Sequence, residues 1–174
     1  MSRSGVITFK GNPMTLAGDE VSTGQASPDF TLHNFGDAGL TTITPATLKG
    51  KPTLLNVVPS LDTGVCATQT KKFNEQLAEL GDKINAVTVS VDTPFGQNRF
   101  CGAEGVTNLT NGSDYMDHNF GNAYGVRIEE LGLLTRSVYV LDADGNVVYG
   151  EIVPEVTNEP NYDGALAALK GQVS

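Results

Sequence analysis

The run Pro52-Thr53-Leu54-Leu55-Asn56-Val57-Val58-Pro59-Ser60-Leu61-Asp62-Thr63-Gly64-Val65-Cys66 sets a buried strand directly against the start of a helix. Its apolar stretch is interrupted only by Thr53 and Asn56 and bracketed by prolines, the pattern of a central strand. Thr63 stands where an N-cap is needed. Apolar residues at Val65, Phe73, Leu77 and Leu80 then form one helical stripe over Thr63–Leu80, with Gly81 placed to end it. The next segment, Ile84-Asn85-Ala86-Val87-Thr88-Val89-Ser90-Val91, is rich in β-branched residues and alternates, so it predicts a second strand.

The flanking segments extend this strand–helix–strand unit. Val6–Phe9 and Met14–Ala17, separated by Lys10-Gly11-Asn12-Pro13, predict a β-hairpin within residues 1–20. Pro28–Leu32 and Leu40–Thr44 are short strand candidates. Pro94 opens a helix running to Gly102 or slightly beyond, and a shorter helix is expected over Tyr115–Tyr124. Ser137–Leu141 and Val147–Ile152 flank the turn-rich Asp142-Ala143-Asp144-Gly145-Asn146 and predict a late hairpin, followed by an Ala/Leu-rich helix over Tyr162–Lys170. The fold class is therefore α/β, a central mixed β-sheet flanked by helices.

At 174 residues without an internal repeat or linker-like stretch, residues 1–174 are expected to form a single domain. A hydrophobic fraction of 39% is too high for a disordered chain, and no apolar run is long enough to span a bilayer. Eleven Lys and Arg against twenty Asp and Glu give a net charge of -9, which disfavours nucleic acid and anionic membranes as partners. The N-terminus lacks the apolar block of a secretory signal, so the expected compartment is the cytoplasm. Two cysteines, Cys66 and Cys101, are too few for a disulfide-stapled secreted scaffold.

Cys66 carries the chemical interest. Counted from Thr63 it is the third residue of its helix, inside the first turn, where free amides and the helix dipole favour a thiolate. Gly64 leaves one side of the turn open, and Pro59 fixes the backbone leading into it. A thiol enzyme also needs donors for charge developing in the transition state, and the Cys66 and Val65 amides, the Thr63 hydroxyl and an arginine from elsewhere are candidates. Against this stands the plainer reading that a free cysteine is often only a small buried hydrophobe.

Pro59, Thr63 and Cys66 match the P-x-x-x-T-x-x-C signature of the peroxiredoxins, and Pro59–Asn74 as a whole resembles the bacterial thiol peroxidase branch. Arg99-Phe100-Cys101-Gly102-Ala103-Glu104-Gly105 resembles the resolving-cysteine helix of that branch, and Arg136-Ser137-Val138-Tyr139-Val140-Leu141-Asp142 its active-site arginine strand. The N-terminal hairpin fits as well. The resemblance covers essentially the whole chain and implies a thioredoxin-like fold.

It also implies roles for individual residues. Cys66 would be the peroxidatic nucleophile, oxidised to a sulfenic acid, and Cys101 would resolve it as an intramolecular disulfide. Arg136 would favour the thiolate and donate to the peroxide, Thr63 would orient the sulfur and the substrate, and Pro59 would shield the site from water. The implied activity is reduction of hydrogen peroxide and organic hydroperoxides in antioxidant defence, without metal, haem or other cofactor. Thioredoxin is the implied reductant and a homodimer the implied assembly. Both cysteines are expected at helix ends, so local unwinding is the expected route between the reduced and oxidised forms.

Rival readings remain at this stage. A bridge across the thirty-five residues from Cys66 to Cys101 could be purely structural, worth about 4 kcal/mol if unstrained. A general thiol–disulfide oxidoreductase would carry both sulfurs in one C-x-x-C turn, which is absent. Cys66, Cys101, His33 and His118 lack zinc-ligand spacing, Asp142-x-Asp144-Gly145 lacks the closing glutamate of a calcium loop, and Gly50-Lys51-Pro52-Thr53 cannot form a phosphate loop. Asn108 and Asn111 head formal glycosylation sequons that only a eukaryotic secretory chain would use.

Overall fold

A computed structural model of the chain describes residues 1–173. In chain order the elements are β1 (Arg3–Phe9), β2 (Asn12–Ala17), β3 (Leu32–Gly36), β4 (Gly39–Ile43), α1 (Pro45–Leu48), β5 (Thr53–Val57) and α2 (Gly64–Leu77). A 3₁₀ turn at Gly81–Lys83 leads to β6 (Asn85–Ser90), α3 (Pro94–Glu104), β7 (Thr110–Ser113) and α4 (Asn119–Tyr124). The chain closes with β8 (Arg127–Ile128), β9 (Leu133–Leu134), β10 (Ser137–Leu141), β11 (Val147–Ile152) and α5 (Tyr162–Gln172).

Strand β5 is buried along its whole length and lies at the heart of a seven-stranded sheet of order β11-β10-β5-β6-β7-β3-β4. It pairs parallel with β6 and antiparallel with β10, the mixed pairing of the thioredoxin-like fold. Alternation divides the sheet between two hydrophobic cores. Leu54, Val138 and Val140 face Phe73 and Leu77 of α2 and Ala165, Leu166 and Leu169 of α5. Leu55, Val57, Val87 and Tyr139 face the other way, toward Phe120 and Tyr124 of α4. Both faces are covered, which is why β5 and β10 read as nearly continuous apolar runs.

The expected N-terminal hairpin is β1–β2, and it joins β8 and β9 in a separate four-stranded sheet. Three local expectations shift. The strand expected at Pro28–Leu32 begins only at Leu32, because Phe30 leaves the ladder to pack edge-on against Phe120 at 5.2 Å. The helix expected from Tyr115 begins at Asn119, where the Asp114 carboxylate accepts from the amides of Phe120 and Gly121 at 2.9 and 2.8 Å. Helix α2 stops at Leu77, before Gly81, which instead opens the 3₁₀ turn at positive φ.

Candidate active site

Helix α2 begins where β5 has left the sheet, and Cys66 is its third residue, fully buried. Thr63 stands at the N-cap, yet its hydroxyl makes no capping bond; it donates to the Ser60 carbonyl at 3.1 Å. The first-turn amides of α2 have no intrahelical acceptor, so the helix presents positive charge to the sulfur. The surrounding packing is apolar: Val58, Leu61 and, from α3, Phe100.

Arg136 is the cationic neighbour. Lying between β9 and β10, it is almost fully buried, and its Nη2 donates to Cys66 Sγ at 3.4 Å. Its Nε donates to the Val156 carbonyl at 2.7 Å and its Nη1 to Gln69 Oε1 at 2.9 Å, so all three guanidinium edges are directed. Gln69 is fixed in turn, donating to Asn56 Oδ1 at 2.7 Å, while Asn56 donates to Thr70 and Thr88. The lone amide inside the apolar β5 is therefore the anchor of the arginine's support. No carboxylate among the described residues lies within salt-bridge distance of Arg136; its direct polar contacts are the Val156 carbonyl, Gln69 Oε1 and Cys66 Sγ.

Pro59, Thr63 and Arg136 share the wall of one pocket of about 440 Å³ with Val65, Leu133 and Val156. Phe9 and Lys10 of the N-terminal hairpin close its rim. Sequence reading brings out Pro59, Thr63, Cys66 and Arg136, and the structure gathers those four. Cys101 lies elsewhere: its thiol is free, half-buried and hydrogen-bonded to Asn111 Oδ1 at 3.2 Å.

Sequence reading misses Gln69, Asn56, Asp92 and Glu155. Asp92 accepts from Ser60 Oγ at 2.9 Å, the Leu61 amide at 2.8 Å and Ser90 Oγ at 2.7 Å, tying the loop before α2 to the segment leading into α3. A polar side chain inside an apolar strand is the signal that points to Asn56. No comparable signal marks Asp92 or Glu155, because the partners that tie each to the site, Ser60 and Leu61 for Asp92 and Thr8, Lys10 and Gly11 for Glu155, are remote in sequence.

Glu155 fastens the pocket rim. Its carboxylate accepts from Thr8 Oγ1, the amides of Lys10 and Gly11, and both the amide and hydroxyl of Thr157. The Thr157 and Gly11 amides and the hydroxyls of Thr157 and Thr8 hold its pKa down, from the ordinary 4.5 to about 2. A depressed carboxylate stabilises the fold above its unfolded pKa and loses that contribution as pH falls through the folded value. Amide exchange at Gly11 and Thr157 is therefore expected to stay slow near neutrality and to gain protection-breaking openings between pH 4.5 and about 2. In Glu155→Gln those openings are expected at every pH, which exchange measured by NMR would test.

Among the described residues no group of His, Cys, Asp and Glu is arranged to hold a metal ion, and no helix is long and apolar enough to cross a membrane. The arrangement offers a buried sulfur, a guanidinium aimed at it and an apolar pocket beside it, which suits attack by sulfur on a small polar bond. The Redoxin family model matches residues 22–166. The thiol peroxidase of Bacillus subtilis (strain 168) is 51% identical over 169 residues, covering 96% of this chain and 98% of that protein. The crystal structure of a peroxiredoxin-like protein from Aquifex aeolicus superimposes with a TM-score of 0.86 at 36% identity, covering 98% of each chain. A thiol peroxidase from Chromobacterium violaceum shares the fold, with a TM-score of 0.81 at 18% identity over 95% of each chain. The chain belongs to the Redoxin family and, within it, to the thiol peroxidases.

Proposed function

We propose that the chain reduces hydrogen peroxide and organic hydroperoxides through Cys66. The observation that carries this reading is the Arg136 Nη2 contact to Cys66 Sγ at 3.4 Å, made by a buried guanidinium that forms no salt bridge among the described residues. The thiolate attacks the terminal peroxide oxygen, the O–O bond breaks, and water or an alcohol leaves while Cys66 becomes a sulfenic acid. Arg136 and the first-turn amides stabilise charge on the oxygens, Thr63 orients the peroxide, and Pro59 excludes water. Phe9, Leu133 and Val156 supply apolar surface for an organic substituent.

Cys101 then resolves the sulfenic acid as an intramolecular disulfide, which thioredoxin reduces. The assembly is a homodimer, a reading supported by the solvent-facing Phe35, Leu40, Phe95 and Met116, and the compartment is the cytoplasm. Cys101→Ser tests the scheme. One equivalent of hydroperoxide is expected to be consumed as fast as by the parent, after which a sulfenic acid accumulates that a dimedone-type trap labels at Cys66. Turnover with thioredoxin is expected to stop, and excess peroxide to drive Cys66 to the sulfinic acid. Undiminished thioredoxin turnover in this variant would remove Cys101 from the scheme.

A further inference from the structure

In the reduced protein, Phe100 rather than Cys101 packs against the surroundings of Cys66. Cys101 is directed toward β7, its S–H donating to Asn111 Oδ1 at 3.2 Å. Asn111 is itself buried and held on two further sides. Its Nδ2 donates to Asn98 Oδ1 at 3.4 Å, and its carbonyl accepts from Asn34 Nδ2 at 2.8 Å. Asn98 and Cys101 are three residues apart in α3 and so share a face, which lets one β7 side chain grip the helix at two points. The start of α3 is fastened separately by Gln97 Nε2, which donates to the Gly112 carbonyl at 3.1 Å and to Ser90 Oγ at 3.0 Å. Forming a disulfide therefore requires the last turns of α3 to swing Cys101 away from Asn111 while Phe100 withdraws.

We propose that Asn111 is a positioning residue for the resolving step: it docks Cys101 against β7 as the thiol, and its release sets the rate of disulfide formation. This rests on the reading of Cys101 as the resolving cysteine. The orientation of the amide gives the effect its sign. With Oδ1 toward the sulfur the amide favours S–H, whereas Nδ2 in that place would favour the thiolate, and Asn98 Oδ1 holds the amide in the first orientation. Burial is the larger influence on this thiol and pushes the Cys101 pKa up.

Once released, the Cys101 sulfur attacks the sulfur of the Cys66 sulfenic acid. The S–O bond breaks, the S–S bond forms, and the thiol proton leaves with the hydroxyl as water, so no further oxidant or reductant is required. A firmer grip lengthens the life of the sulfenic acid and gives a second peroxide time to react with it.

The test mixes reduced protein with one equivalent of hydrogen peroxide and follows Cys66 oxidation and the Cys66–Cys101 disulfide separately, by rapid quench, alkylation and mass. Asn111→Ala removes the acceptor, and the disulfide is expected to form about three- to fivefold faster, the effect of one lost hydrogen bond. Asn111→Asp keeps the shape but accepts more strongly and repels a thiolate, so the disulfide is expected to form about fivefold more slowly or worse, with more sulfinic acid under excess peroxide. Cys66 oxidation is expected to stay within about twofold of the parent in both, because Asn111 does not line its pocket. Should the alanine variant fail to fold, the isosteric aspartate variant decides by itself. Unchanged disulfide rates, or a slowing shared equally by Cys66 oxidation, would overturn the inference. If the parent forms no Cys66–Cys101 disulfide, the resolving role itself fails and the inference with it; a normal disulfide in the parent with unaltered variants defeats only the role of Asn111.

Discussion

Cys66→Ser is expected to lower hydroperoxide consumption by about 10⁴-fold or more, to the level of a protein-free control. A serine hydroxyl is almost wholly protonated near neutrality, and its oxygen has no sulfenic acid to form, so neither the attack nor the oxidised intermediate is available. The fold is expected to survive. Serine is slightly smaller than cysteine, and Arg136 Nη2, which now donates to the sulfur, remains as a partner for the new hydroxyl. Burying that hydroxyl among Val58, Leu61 and Phe100 costs on the order of 1 kcal/mol, a fall of about 2–4 °C in melting temperature. Loss of an organic hydroperoxide in the presence of excess dithiol, measured beside a thermal melt, checks both statements. Consumption above a few per cent of the parent rate would show that Cys66 is not the nucleophile. The same experiment separates a peroxidase from a domain stapled by a structural disulfide, for which Cys66→Ser and Cys101→Ser would lower stability equally and no turnover would exist to lose.

What can be read from residue order alone divides along a physical line. Elements that bury themselves by their own local pattern are legible: β5, β6, the β10–β11 hairpin, α2 and α5 stand where apolar spacing and turn residues place them, and α3 starts where Pro94 marks a first turn. Elements that exist because of remote partners are not. Strand β7 has the sequence Thr-Asn-Gly-Ser, in which only the threonine favours a strand, yet it is held between β6 and β3. Its glycine is dictated by packing, since a Cβ at Gly112 would come within 2.8 Å of a Leu32 methyl and 3.1 Å of a Val87 methyl. The two-residue strands β8 and β9 exist only as partners of β2 and of each other.

The candidate site shows the same division. Cys66 is recognisable because the strand-to-helix junction and its N-terminal turn lie within one continuous stretch. Arg136 lies seventy residues away from it, and nothing local distinguishes it from a solvated strand-end cation; only the family resemblance selects it. Gln69 is one turn beyond Cys66 on the same helix but carries no signal until Arg136 is known to lie against it. The apolar pocket is wholly tertiary, because Phe9, Leu133 and Val156 come from three separate segments.

Arg136→Met is expected to slow the reaction of Cys66 with hydroperoxide by about 10²–10³-fold, the usual cost of removing one fixed donor from developing negative charge. Part of the deficit is expected to persist at pH 9, where an ordinary thiol is already mostly ionised, because the guanidinium acts on the peroxide oxygens as well as on the sulfur. Arg136→Lys is expected to recover little. Charge is restored, but one ammonium cannot reproduce a planar group whose Nε, Nη1 and Nη2 point at Val156, Gln69 and Cys66. Stability should move differently from rate. The methionine substitution removes a buried cation that forms no salt bridge among the described residues, which is favourable, and orphans the Gln69 and Val156 acceptors, which costs about 1–3 kcal/mol each. These contributions oppose one another, so the net change is expected within about 2 kcal/mol and the melting temperature within roughly 8 °C of the parent. Second-order rates measured across pH, together with melts of the parent and both variants, test the argument. If Arg136→Met retained the parent rate at pH 9, the guanidinium would be needed only to populate the thiolate, and its direct role in holding the peroxide would fall.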